Sequence, residues 1–432
     1  MEQLNPFIHG RELAPNEFIG RERELRQIYG HMATRTSVAV IGQPRMGKTS
    51  LLKYIIHAIS RSTDLHSSLG TLVFSYLDGH PLGGTVGHEQ FWQRAIVPIE
   101  PLLPPNPTLM ARYFHVQREL YRDDALALLF DELASIGHRV VLLLDEFDAF
   151  LSHPLLNDGA FFGVLRSLSS SSAGLSLVIA TRSEMNDLNV RTTNFNPNGS
   201  PYFNTFQFVR MGPLSQSAFD QLLSKGRDYF NGADYDYIAA VSGRHPYLSQ
   251  VAAASVFAAQ EDGLTGIRRY RTSAEHLRDN LRPQFDDQWR NWSSSAKKVV
   301  TAIALSQIPT LIGKHRFETH STIGDVEYYN QELDILKADG LLVQDASDQW
   351  RISQDAFLWW LADELRTHLR DDSSFEDWLR SHEMEGFMTH EKRLKVKEAF
   401  GAVGVGSKAL IEAAAKGFGG GAAKAVFPGA EG

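Results

Sequence analysis

Residues 42–49 read Gly42-Gln43-Pro44-Arg45-Met46-Gly47-Lys48-Thr49, a match to the pattern G-x-x-x-x-G-K-[ST]. Glycines in such a loop let backbone N–H groups converge on phosphate oxygens, and a helix starting behind it adds the positive end of its dipole. In this pattern Lys48 reaches the β- and γ-phosphates of a nucleotide and Thr49 ligates Mg²⁺, with Ser50 next in line. The flanks supply the required context. Residues 37–41 (SVAVI) form a β-branched run that ends in the loop, and residues 50–60 carry apolar helical spacing. Strand, loop and helix in that order separate a phosphate-binding loop from an ordinary glycine turn. The segment therefore predicts ATP or ADP with Mg²⁺ as ligands.

Working outward, strands are expected at 71–77, 140–144, 175–180 and 205–209, and a helix at 123–136 through Leu126, Leu129, Phe130 and Leu133. Short apolar strands alternating with helices predict a parallel α/β sheet covered on both faces. One strand candidate lies between the glycine-loop strand and the run Val140-Val141-Leu142-Leu143-Leu144-Asp145-Glu146. Beyond about Pro213 the strands stop and the chain turns helical to about Pro283. Residues 290–370 then read as helices followed by a small hairpin, 341–344 and 350–353, which suggests a winged helix. From about Asp371 onward lies a tail rich in Gly and Ala that carries Lys408, Lys416 and Lys424.

The acidic pair closing the 140–144 strand emerges at the same sheet edge as the glycine loop, the Walker B position. There Asp145 holds the Mg²⁺ shell, and Glu146 orients or deprotonates an attacking water. Two acids after a strand also occur as a helix cap or a solvated pair; the loop upstream favours the chemical reading. Arg182, just past the fourth strand, is placed to neutralise a γ-phosphate with delocalised charge, with a surface ion pair as the plain alternative. Asp78 ends a strand and reads as a turn residue. Pro246, after Gly243-Arg244-His245, fixes a helix start on local grounds. None of the 16 histidines forms H-E-x-x-H, so a zinc hydrolase has no support.

The 432 residues predict two to four domains. A net charge of −8 gives no global attraction to nucleic acid or anionic membrane. There is no cysteine, which excludes disulfides, thiolate metal sites and a cysteine nucleophile. No signal peptide and no stretch of about 18 uncharged apolar residues is read, so the expectation is a cytoplasmic protein.

On these residues the chain resembles the AAA-like STAND (signal-transduction) ATPases, relatives of the Orc/Cdc6-like AAA+ proteins. The resemblance runs over roughly residues 5–370. It rests on Phe18-Ile19-Gly20-Arg21-Glu22, the glycine loop, the Leu-Leu-Leu-Asp-Glu strand end, Ala180-Thr181-Arg182-Ser183 and Gly243-Arg244-His245-Pro246. Asn5-Pro6-Phe7 and Ser200-Pro201-Tyr202-Phe203-Asn204 also look like segments of prokaryotic members. The resemblance implies a 5-1-4-3-2 parallel sheet, a helical lid and a winged helix. It implies Gly20, Arg21 and Glu22 beside the adenine and Pro246 contacting the nucleotide from the lid. The implied division is an adenine-side segment at 1–30, a nucleotide-binding domain at 31–212, a lid at 213–285, a winged helix at 286–370 and the tail at 371–432.

The function implied is a slowly hydrolysing ATPase switch that couples nucleotide state to self-assembly or an effector protein, in prokaryotic defence or stress signalling. The alternative is an Orc-like DNA-binding ATPase. Against DNA stand Asp325, Glu327, Glu332, Asp334 and Asp339 around the single Lys337 of the candidate recognition helix, although Lys297, Lys298, Lys314 and Arg316 offer backbone contacts. For the tail, packing in an oligomer, an effector contact, membrane contact and a plain linker all stay open.

Overall fold

The structure, a computed structural model, describes residues 4–61, 69, 71–197, 199–311, 326–345, 347–369, 372–401 and 406–419. Asp325, Lys314, Arg316 and Lys424 lie outside these. The chain divides into two compact units, Glu12–Met211 and a second made of Met1–Arg11 with Gly212–Gly432.

In the first unit, α1 (Glu22–Ala33) precedes β1 (Val38–Ile41), and α2 (Lys48–Arg61) follows the glycine loop. Next come β2 (Thr71–Asp78), α3 (His88–Ile96), α4 (Pro107–Arg118), α5 (Asp123–Ser135) and β3 (His138–Asp145). The unit is completed by α6 (Gly159–Ser171), β4 (Leu175–Thr181), α7 (Met185–Thr192) and β5 (Gln207–Arg210). The five strands are all parallel in the order β2-β3-β4-β1-β5, the expected 5-1-4-3-2 sheet. Each expected strand is present, with its ends shifted by no more than two residues.

A parallel sheet needs both faces covered, and the alternation within each apolar run shows how. Ala39, Ile41, Val140, Leu142, Leu144, Leu177 and Ile179 point to one face. There they meet the buried aromatic rings of α3, α5 and α6, including Phe91, Trp92, Phe130, Phe161 and Phe162. Val38, Val40, Val141, Leu143, Val178 and Ala180 point the other way, onto Leu25, Ile28 and Met32 of α1 and Leu51, Leu52 and Ile55 of α2. Burying each of the Val, Leu, Ile, Met and Phe side chains among them contributes about 1.5–3 kcal/mol.

The second unit carries α8 (Gln216–Leu223), α9 (Gly232–Ser242), α10 (Pro246–Glu261) and the 26-residue α11 (Gly266–Asn291). Pro283 sits inside α11 rather than ending it, and the expected division at 285 falls within this one helix. Tyr270, Leu277 and Leu281 are buried along its first part and Phe285 and Trp289 along its last. After α12 (Ser294–Leu311) and α13 (Asn330–Ala338) comes an antiparallel hairpin of β6 (Leu342–Gln344) and β7 (Trp350–Ile352), the wing. Gln307 of α12 locks it by accepting from Ile352 N at 2.8 Å and donating to Ile352 O at 3.1 Å. Helices α14 (Asp355–His368), α15 (Asp372–Ser381) and α16 (His390–Gly401) follow. Among the described residues no helix is long and apolar enough to cross a membrane.

The first residues described join this second unit. Asn5 Nδ2 donates to Ala254 O at 3.1 Å, Ile8 N donates to Gln250 Oε1 at 3.1 Å, and the Phe7 ring stacks on Phe230 at 5.4 Å. The Gly/Ala-rich tail also forms structure here, as α17 (Ser407–Gly419) packed on α11. It buries Leu410, Ile411, Ala414, Ala415 and Phe418, and Phe418 meets Tyr237 edge-on at 5.6 Å. Arg271 clasps Glu412 with two bonds of 2.9 Å. Residues 407–419 are therefore not a plain linker. Phe418→Ala should lower the urea-unfolding free energy by about 3–5 kcal/mol, the usual cost of deleting a buried phenyl ring. A loss well under 1 kcal/mol would show that α17 adds nothing to the core.

Candidate functional site

Parallel pairing brings the C-terminal ends of β1, β3 and β4 to one sheet edge, and the glycine loop, Asp145, Glu146 and Arg182 gather there. Gly42 N donates to Thr181 O at 3.1 Å, so the loop leaves β1 still tied to β4. A side chain at Gly42 would press on Met211, whose Cβ lies 3.1 Å from the position of an added Cβ. The loop closes with Met46 N donating to Gln43 O at 3.3 Å. Gly47 has φ +90°, a left-handed value that favours glycine, and Arg45 also takes a positive φ of 65°. Helix α2 then begins at Lys48, with Thr49 and Ser50 in its first turn.

Lys48 is 6% exposed. Its ammonium donates to Gly42 O at 2.8 Å and Gln43 O at 3.3 Å, two carbonyls of its own loop. Burial pulls its pKa below the ordinary 10.5. The carboxylates of Glu146, Asp148 and Asp145 oppose that shift, while Arg182 adds to it. A desolvated cation bonded to neutral carbonyls, with a second cation in electrostatic reach, suits a polyanionic ligand. The donor set thus fits the phosphates of a nucleotide.

Asp145 is 1% exposed and both of its oxygens are engaged. Oδ1 accepts from Glu146 N at 2.9 Å and Oδ2 from the Tyr76 hydroxyl of β2 at 2.8 Å. Glu146 turns out of the strand in a left-handed conformation, φ 46° and ψ 50°. Gly79 makes this turn sterically feasible, because a Cβ there would fall 2.8 Å from Glu146 O. Asp78 serves the turn itself, accepting from His80 N at 2.9 Å.

Arg182 follows β4 with its side chain exposed and in no ion pair among the described residues. Its backbone is held by a residue that sequence reasoning missed. Asp148 Oδ2 accepts from Arg182 N at 2.8 Å and Thr181 Oγ1 at 2.9 Å, and Oδ1 accepts from Ser183 Oγ. The signal was a third acid in Asp145-Glu146-Phe147-Asp148.

Gly20 and Arg21 both take positive φ, 74° and 72°. Arg21 is buried; its guanidinium donates to the loop carbonyl of Met46 at 3.3 Å and pairs with Glu24 at 3.1 Å. Burial lowers its pKa, with Glu24 opposing. Arg21 thus braces the glycine loop, whereas Glu22 is exposed at the start of α1. Pro246 belongs to the second unit, as first residue of α10 behind the His245 cap.

No family model matches the chain, and no curated protein does. Among solved structures it is similar to the Walker-type ATPase PABY2304 of Pyrococcus abyssi, at 14% identity and a TM-score of 0.51, over 82% of this chain and 98% of that one. It also matches the Aeropyrum pernix ORC2 protein in ADPNP and ADP complexes, at 14% identity and a TM-score of 0.45, over 82% and 97%. A third match is Cdc6p from Pyrobaculum aerophilum, at 17% identity and a TM-score of 0.35, over 80% and 94%. The likeness to the Pyrococcus protein is one of fold, and the fold is the P-loop AAA+ type.

The folded chain releases the Lys48 proton at lower pH than the unfolded chain does. Between the two values the unfolded state binds more protons, so stability rises with pH. Urea midpoints of ligand-free protein from about pH 7 to about pH 10 should show this component in the wild type and lack it in Lys48→Met. Identical pH profiles would contradict the burial argument.

Proposed function

We propose that the chain binds and slowly hydrolyses ATP with Mg²⁺, and that it works as a switch whose nucleotide state governs self-assembly or engagement of an effector protein. The observation that carries the reading is the Lys48 ammonium, buried against two loop carbonyls beside the carboxylates of Asp145 and Glu146. In this reading the backbone of residues 42–47 and Lys48 hold the phosphates, and Thr49 and Asp145 hold the metal. Mg²⁺, when bound, neutralises charge on the phosphates. Glu146, free of the strand ladder, takes the proton of the attacking water, and Arg182 meets the γ-phosphate. Gly20, Arg21 and Glu22 border the base in this assignment, Arg21 through the loop it braces. Pro246 stays a proposed nucleotide contact on the resemblance alone.

The wing order favours a second reading, a DNA-binding ATPase, but the charges on it do not. On α13 Asp334 is exposed and Glu332 half-buried, and the wing adds Asp345 and Asp348. Lys337 is engaged, donating to Gln344 Oε1 at 2.8 Å and lying over the Trp350 ring. Lys297 is 7% exposed, which keeps it from a phosphate backbone. Asp339 is buried as well and adds no surface repulsion.

Light scattering on Glu146→Gln, which retains ATP uncleaved, should give a higher molar mass with Mg²⁺-ATP than with Mg²⁺-ADP. Lys48→Ala should show neither nucleotide binding nor the rise. Equal mass, shape and protease sensitivity in both nucleotide states would end the switch reading. Duplex DNA should bind weakly at about 50 mM salt, and tight binding lost by about 200 mM would place the DNA reading first.

A further inference from the structure

Strand β4 outruns its ladder with β3. The two pair from Val140↔Leu175 to Leu144↔Ile179, so Thr181 and the residues after it have no β3 partner. On the opposite side Thr181 is still gripped, paired with Ile41 and accepting from Gly42 N at 3.1 Å. The free side of this exit is taken by one carboxylate. Asp148 lies in the short helical turn Phe147–Ser152 that follows β3, and it is 8% exposed. It gathers the Thr181 hydroxyl, the Arg182 amide and the Ser183 hydroxyl, and Ser183 N closes the ring onto Thr181 Oγ1 at 3.0 Å. Three donors on one buried carboxylate are charge-assisted bonds, stronger than neutral ones, and they fix three consecutive residues. The middle one is Arg182, whose guanidinium is exposed and lies within electrostatic reach of Lys48.

We infer that Asp148 is a positioning residue: it sets the direction in which Arg182 leaves β4, and so governs how the site distinguishes a nucleoside triphosphate from a diphosphate. This rests on the nucleotide reading above. Asp148 itself touches no phosphate in this inference; beside the potential it shares with Glu146 and Asp145 at Lys48, it acts through the Arg182 backbone. A bracket that only stiffens the unit would alter both nucleotides alike. A positioning group alters the one whose γ-phosphate Arg182 meets.

The test uses the full chain with ADP and with β,γ-imido-ATP as probes, measured by equilibrium binding, and steady-state ATP hydrolysis beside them. In Asp148→Ala, affinity for the imido analogue should fall by about tenfold, the worth of one charge-assisted contact, while ADP affinity changes less than about twofold. Hydrolysis should fall by about 10²-fold through kcat, as expected when a catalytic contact is misplaced by about 1 Å. The double variant Asp148→Ala/Arg182→Ala should be no worse than Arg182→Ala, because both remove one contact. Asp148→Asn keeps the shape but turns an NH₂ toward the donors, so it should lose part of the discrimination while remaining folded. It decides the question should the alanine variant fail to fold. Equal losses for both nucleotides, additive losses in the double variant, or wild-type discrimination in Asp148→Asn would each overturn the inference. A wild-type chain that binds neither nucleotide would instead overturn the reading beneath it.

Discussion

Lys48 holds an ammonium group away from water with two main-chain carbonyls of its own loop as its hydrogen-bond partners, and much of the first unit is arranged around that cost. A charge so placed is tolerated only where other groups supply compensating potential. Three acids do so from the end of β3 and the turn that follows it, and each is itself restrained. Tyr76 and the Glu146 amide hold Asp145, a left-handed turn presents Glu146, and Asp148 is bound to the β4 exit. The sheet order makes this economical, because β4 lies between β1 and β3 and passes restraint from one to the other. Arg21 adds a brace from the side of α1.

Most of this unit was legible because its signals are local. The loop pattern marks the proposed phosphate site, and an unbroken run such as residues 140–144 marks a strand buried on both faces. Boundaries were less legible. Strand β3 begins at His138, since Arg139 can be buried in the ladder while its guanidinium donates to Leu69 O at 3.3 Å. Helices α3 and α4 produced no expectation, because Pro98, Pro101, Pro104, Pro105 and Pro107 crowd the segment between and into them. Asp148 was passed over because its partners come from another strand, and pairing of that kind leaves no periodic trace.

Two places in the second unit are less legible, for opposite reasons. Pro283 looked like a helix end, yet it and Asp279 both lie on the exposed face of α11, where water can take the freed carbonyl. The composition of the tail left a plain linker open beside packing and membrane contact. The tail's spacing favours packing: Ser407, Leu410, Ile411, Ala414, Ala415 and Phe418 recur at three and four residues and form one buried stripe.

That stripe also bears on the order in which the molecule is made. The first unit has every strand of its sheet once Met211 has been synthesised, so it can fold while the rest of the chain is still being added. The second unit cannot. Its core takes Phe7, which stacks on Phe230, and Phe418, which meets Tyr237, pairings distant in sequence of the kind that slows folding. Until α17 arrives, Tyr237 and Tyr270 lack a covering ring, and the unfinished bundle exposes an aromatic face to chaperones or to another nascent chain.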